Sequence, residues 1–345
     1  MHQARYLRWL GIIGVLVALF APAHMVAAAT KVPKKAYSVT AILPGNQVDK
    51  QLNYWQLHLS PKQVQSLQLQ VANIGREAIT VRVQANNGTT DANPQIIYSQ
   101  SASTIYPKPA TSFASMVIGE REQAVTLAPG AVKILTFRIR APADHFSGMI
   151  LGGLYATADV TTTATQVRQI VAYQRSVVLQ GKDINQVRPK IQFGAAKPVA
   201  EAGRFVLYLA TRNTAPMYAY ALTNKLTIYR QDTGKRVVHT SGTDGKIAPH
   251  SRFNWQFLIP KLAAGSYEMR LVIAGNNVAR RTVIRHFTIE PVQVQAVSDY
   301  RPTGRRNFGV VLLLIVLIGV FMVVSWVLIY QRGRRHGQQL RKKTK

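Results

Sequence analysis

Glu120 and Glu122 stand two residues apart, and on a β-strand such positions point to the same side, so the chain holds one carboxylate pair placed to flank a glycosidic bond. Arg121 between them and the polar stretch before them place the pair at a solvated strand end instead. Other chemistry finds fewer parts. No G-x-S-x-G elbow and no S-x-x-K pair occurs, so serine acyl transfer lacks its sequence signs. His58, His145, His239, His250 and His286 form no H-x-x-x-H pair and no compact metal set. The chain has no cysteine, hence no thiolate and no disulfide. No catalytic residue, metal or cofactor is expected, and the reading is a non-enzymatic binding protein.

Aromatic side chains are the stronger candidates. Tyr54 and Trp55 are neighbours on one strand and point to opposite faces, so one of them is free to stack on a sugar or pack on a partner protein. Tyr98 and Tyr106 flank the long stretch Ser99–Ser115, and Tyr218 and Tyr220 share a face beside Pro216. Loops on a rigid scaffold commonly carry recognition. Unpaired sheet edges offer a second route, by adding a partner's strand.

Charge is uneven. The formal net charge is +29; Thr30 to Thr165 holds 12 Lys/Arg against 7 Asp/Glu, and Gln166 to Asn307 holds 22 against 7. The second half is the basic half, and its field favours polyanions such as phosphate-rich wall polymers or anionic headgroups. No run of aromatics interleaved with Arg occurs, so nucleic acid is not an expected partner.

The elements that must position these residues follow a period of two. Leu67, Leu69 and Val71 alternate with Gln68 and Gln70; Leu135, Phe137 and Ile139 with Thr136 and Arg138; Tyr267, Met269 and Leu271 with Glu268 and Arg270. Turn clusters such as Asn86-Asn87-Gly88, Pro129-Gly130 and Asp232-Thr233-Gly234 separate them. This predicts an all-β ectodomain of two tandem immunoglobulin-like β-sandwich domains followed by one transmembrane α-helix. The first domain is read over 37–165 and the second over 166–290, with Gly181–Pro189 reading as a linker and Ser99–Ser115 as a loop too polar for a core strand.

The ends carry targeting signals. Arg5 and Arg8, a short apolar run and Val26-Ala27-Ala28-Ala29 predict a signal peptide over 1–29. Residues 291–307 read as a juxtamembrane stalk whose Arg301, Arg305 and Arg306 meet headgroups, the uncharged run 308–330 as a membrane span, and 331–345 as a basic cytoplasmic tail. The expected location is a single-pass cell-membrane protein, with its N-terminus outside, its C-terminus cytoplasmic and its ectodomain on the wall side.

Tyr37 to Pro44 with Asn46-Gln47, Tyr54 to Pro61, Phe146 to Gly153, Ile247 to Phe253, Ala264 to Tyr267 and the closing Phe287-Thr288-Ile289 resemble, in order and spacing, the WxL-interacting proteins of Gram-positive surfaces. The resemblance covers nearly the whole chain. It implies a peptidoglycan-binding first domain, a host-binding second domain and a WxL-domain surface protein as partner. Arg252 and Thr282-Val283-Ile284 depart from the family pattern and put a shared second-domain ligand in doubt. A polyanion-binding adhesin, working through the basic second domain, and a wall glycan hydrolase using Glu120 and Glu122 are the alternatives.

Overall fold

Alternating strands bury one face each, and the cheapest way to hide two such faces is to press them together. The computed structural model describes residues 36–101, 105–109, 111–162, 167–300, 313 and 315–330, and in it the chain does this twice. The first sandwich joins a four-stranded sheet, in the order β1 (Tyr37–Ile42), β3 (Val64–Asn73), β9 (Val132–Arg140), β7 (Val117–Ile118), to a five-stranded one. The second sheet runs β2 (Trp55–His58), β11 (Val167–Gln180), β10 (Met149–Thr162), β4 (Ile79–Asn87), β8 (Glu122–Leu127). Between the sheets lie Tyr37, Leu67, Leu69 and Phe137 from one side and Trp55, Val81, Leu154 and Leu179 from the other. Each such side chain contributes about 1.5–3 kcal/mol by leaving water.

The second sandwich pairs β12 (Ile191–Glu201), β13 (Arg204–Asn213) and β16 (Ser251–Ile259) against β15 (Arg236–Ile247), β14 (Ala219–Arg230), β17 (Gly265–Gly275) and β18 (Val278–Ile289). Phe205, Leu207, Trp255 and Met269 fill it. A small hairpin, β5 (Thr89–Thr90) with β6 (Ile96–Ile97), projects from the first sandwich.

Each sandwich turns one corner on a buried asparagine. Asn73 ends β3 and donates from Nδ2 to Glu77 O (2.8 Å) and Leu127 O (3.0 Å). Asn213 ends β13 and donates to Met217 O (2.7 Å) and Ala248 O (3.0 Å). An amide can satisfy two carbonyls and one or two N–H groups at once, so these two buried side chains hold their corners.

The second half spends part of its arginine surplus on structure. Arg281 Nη2 donates to Ile191 O (2.6 Å), and Arg285 donates to Phe193 O (2.7 Å) and Gly194 O (2.6 Å) across the open side of β12, where its register slips between Phe193 and Ala196. These guanidinium groups cap carbonyls along β12, an edge strand of its sheet.

β11 pairs with β10 along its whole length and with β2 over Val177–Gln180, in the five-stranded sheet of the first sandwich. Three expectations are corrected. Ser99–Ser115 is not all loop: α1 (Phe113–Met116), capped by Ser112, buries Phe113 and Met116 in the first core. The start of the expected stalk is α2 (Pro291–Asp299), which lays Val297 on the second core, while its Gln293 donates to Pro198 O (2.8 Å). Third, among the described residues no helix is long and apolar enough to cross a membrane. This overturns the single-pass membrane location expected from 308–330. The signal peptide, Arg301, Arg305, Arg306 and the basic tail lie outside the described residues.

Candidate functional site

β11 alternates, and its two faces part company. Val177 and Leu179 enter the first core, while Gln174, Ser176, Val178 and Gln180 face outward toward the second sandwich. There they floor a cleft of about 490 Å³. Tyr54 and Gln56 form its wall from β2 and the residue before it, Gln95 and Tyr98 come from the β5–β6 hairpin and its exit, and Tyr218, Tyr220 and Lys246 face them from β14 with its approach and β15.

The tyrosines are held in place. Tyr218 and Tyr220 stack at 5.1 Å between centroids with 28° between planes. Asn277 fixes that pair, its Nδ2 donating to Tyr218 O (2.8 Å) and its Oδ1 accepting from Tyr220 N (3.3 Å). Tyr98 Oη donates to Ser176 Oγ (2.9 Å), and burial pushes its phenol up to about 12. Burial likewise raises Tyr54, helped by Asp49, and Tyr218, helped by Tyr220 and Tyr54. All three therefore stay protonated and can donate.

The cleft exists because the two sandwiches are joined through buried polar groups. Thr90 Oγ1 accepts from Ala248 N (2.9 Å) and Ser251 Oγ (2.7 Å), and Ser251 Oγ accepts from Thr90 N (3.1 Å). Lys246 N donates to Pro94 O and Met149 N to Pro216 O, each at 2.7 Å. Tyr98, Leu151 and Ala248 add an apolar patch. Gly148 sits at φ +69°, and a Cβ there would stand 2.2 Å from Pro216 O; only glycine allows the two backbones to approach so closely. Cβ atoms at Gly152 and Gly153 would collide with the Phe113 and Tyr98 rings, at 2.0 and 2.6 Å.

Of the aromatic candidates, the structure brings Tyr54, Tyr98, Tyr218 and Tyr220 into this one cleft. Trp55 is corrected: it has no exposed surface, and its Nε1 donates to Ile42 O (3.1 Å). Tyr106 lies elsewhere, 36% exposed and flanked by two arginines. Sequence reasoning missed Gln174, Ser176, Gln180 and Lys246; the first three were visible as the polar half of the β11 alternation.

Among the described residues no carboxylate lines the cleft. Glu122 stands on exposed β8, bonded by Arg82 and by Gln84 (2.7 Å). The Gln84 and Arg82 hydrogen bonds hold its carboxyl below the usual range, so it stays ionised and cannot serve as a general acid near neutral pH. Glu120→Gln with Glu122→Gln is expected to leave wall binding and the thermal midpoint unchanged, as checked by pull-down and calorimetry. Among the described residues no three His, Asp or Glu side chains converge as a metal site.

His250, at φ +47° beside the interdomain contact, has a buried Nδ1 with no hydrogen-bond partner among the described residues, and burial lowers its pKa. The folded chain then binds this proton less readily than the unfolded one, which titrates near ~6.5. The contribution is full above that pH and is lost as pH falls below it. Thermal melts should show a midpoint dropping below pH ~6.5, with a shallower drop in His250→Asn, since asparagine tolerates the left-handed backbone.

With this geometry in hand, residues 37–158 match the family model "WxL Interacting Protein, peptidoglycan binding domain" and residues 162–299 match "WxL Interacting Protein, host binding domain". The chain belongs to the WxL-interacting protein family. Several segments that carry the family resemblance prove to be joints: Gly148, Ala248 and Ser251 all sit at contacts between the sandwiches described above. Gln47 does the same for the loop before β2, donating to Asp49 O and Tyr54 O, both 3.0 Å, and accepting from Gln56 N (3.1 Å). Comparison with the curated proteins gives no match. Solved structures that resemble it include the Salmonella enterica SafA pilin in complex with the SafB chaperone, at 11% identity over 74% of this chain and 99% of that one, TM-score 0.27. Another is the CsuC–CsuE chaperone–tip adhesion subunit complex of Acinetobacter baumannii, at 13% identity over 66% and 98%, TM-score 0.29.

Proposed function

We propose that this WxL-interacting protein is a non-enzymatic cell-surface binding protein that takes a peptidoglycan strand in the interdomain tyrosine cleft while holding a WxL-domain protein beside it. The cleft itself carries this reading. Its phenols, glutamine amides and Ser176 offer donors and acceptors of neutral charge, suited to the hydroxyl and N-acetyl groups of a wall glycan, and the stacked tyrosine pair suits a sugar face. Lys246 adds one cation for a carboxylate of the wall peptide. Backbone pairing at a sheet edge is the route that fits the WxL-domain partner, and the second domain is the part available to a host ligand, as its family description names.

The test is binding of the purified chain to peptidoglycan stripped of anionic polymers, and to a WxL-domain protein, at low and high salt. Saturable binding to both that persists at 0.5 M salt is expected, because exposed charge pairs are screened there and aromatic and backbone contacts are not (about 0.5 M, a Debye length of a few Å). Binding that vanishes with salt would replace this reading by the polyanion adhesin.

A further inference from the structure

Arg212 on β13 and Arg252 on β16 are direct cross-strand partners, both exposed. Like charges placed opposite each other destabilise a sheet unless something is gained. Tyr106 lies against both guanidinium groups, its ring centroid 5.5 Å from Arg212 Cζ and 5.3 Å from Arg252 Cζ. Arg212 Nε donates to Gln192 Oε1 (2.7 Å), which fixes its plane. Among the described residues Arg252 has no hydrogen bond or ion pair. Glu201 is the one acid on the β12–β13 hairpin; it lies at the far end, where it accepts from Tyr208 Oη (3.0 Å).

We infer that Tyr106, Arg212 and Arg252 form an oxyanion site for the phosphodiester groups of a linear polyanionic polymer. Two forked guanidinium groups on one face match a tetrahedral oxyanion, and the ring holds them together without neutralising them. A repeating ligand is favoured over a single headgroup because a second basic station follows. Lys190, ~7 Å along the chain from Gln192 at ~3.3 Å per residue, lines a cavity of about 590 Å³ with Arg188, beside Arg281 whose Nη2 caps Ile191 O, and among the described residues no acid lines it. This site is separate from the interdomain cleft, and its failure would leave the glycan reading intact.

The experiment titrates the purified full chain with a synthetic glycerol-phosphate oligomer, with anionic phospholipid vesicles in a parallel arm. Arg252→Gln and Arg212→Gln are each expected to weaken oligomer binding about tenfold, whereas Arg236→Gln, an equal loss of charge on β15, weakens it less than about twofold. All three should bind stripped peptidoglycan as the parent chain does. Equal losses from Arg252→Gln and Arg236→Gln would mean a diffuse field and overturn the site. Site-dependent capture of vesicles without oligomer binding would overturn the assignment to a polymer.

Discussion

Gly148→Ala is expected to split one cooperative unfolding transition into two. The added methyl stands where Pro216 O now lies, 2.2 Å away, and the neighbouring bond from Met149 N to Pro216 O (2.7 Å) cannot survive the shift. A non-glycine residue at φ +69° adds backbone strain. Strain and overpacking together cost roughly 2–4 kcal/mol, and the cost falls on the joint and not on either core. Calorimetry should show each sandwich melting by itself, with the cleft's affinity for glycan falling in the same variant because its two walls are no longer fixed. A single transition at the parent midpoint would mean that the joint yields without loss.

Tyr218→Ala should weaken binding of soluble peptidoglycan fragments by about 10–30-fold, the loss typical of a buried aromatic anchor. Tyr218 stacks on Tyr220 and its backbone is tied by Asn277, so truncation removes a pre-set surface as well as a donor. Tyr54→Ala, from the opposite wall, should weaken binding comparably. Tyr208→Ala, on the far exposed face beside Glu201, should leave the dissociation constant within about twofold. Isothermal titration separates these outcomes, and equal losses for Tyr218 and Tyr208 would remove the cleft from the account.

Period two made most strands legible, since alternation such as Leu67-Gln68-Leu69 states both the element and its inward face. It does not name a strand's neighbour, and β11 shows the consequence: its residues read as a strand, but only pairing with β10 and β2 shows which sandwich owns it. Tyr54 and Trp55 were legible as opposite-facing, yet which face meets the core depends on the sheet laid over it, and Trp55 proved to be the buried one. The cleft was legible in its tyrosines and not in its assembly, because its walls come from separate stretches of chain joined through Thr90, Pro216 and Ser251. Charge was the least transparent feature. Arg281 and Arg285 cap carbonyls, while Arg212 and Arg252 face solvent, and composition weights all four alike.

Hydrogen exchange of the full chain, with and without a saturating soluble peptidoglycan fragment, tests the central claim most directly. The account predicts added protection at both Tyr54–Gln56 and Tyr218–Tyr220, with β11 around Ser176, since one ligand touches both sandwiches. Protection confined to a single sandwich, or absent from these segments while the fragment is bound, would contradict a glycan site between the domains.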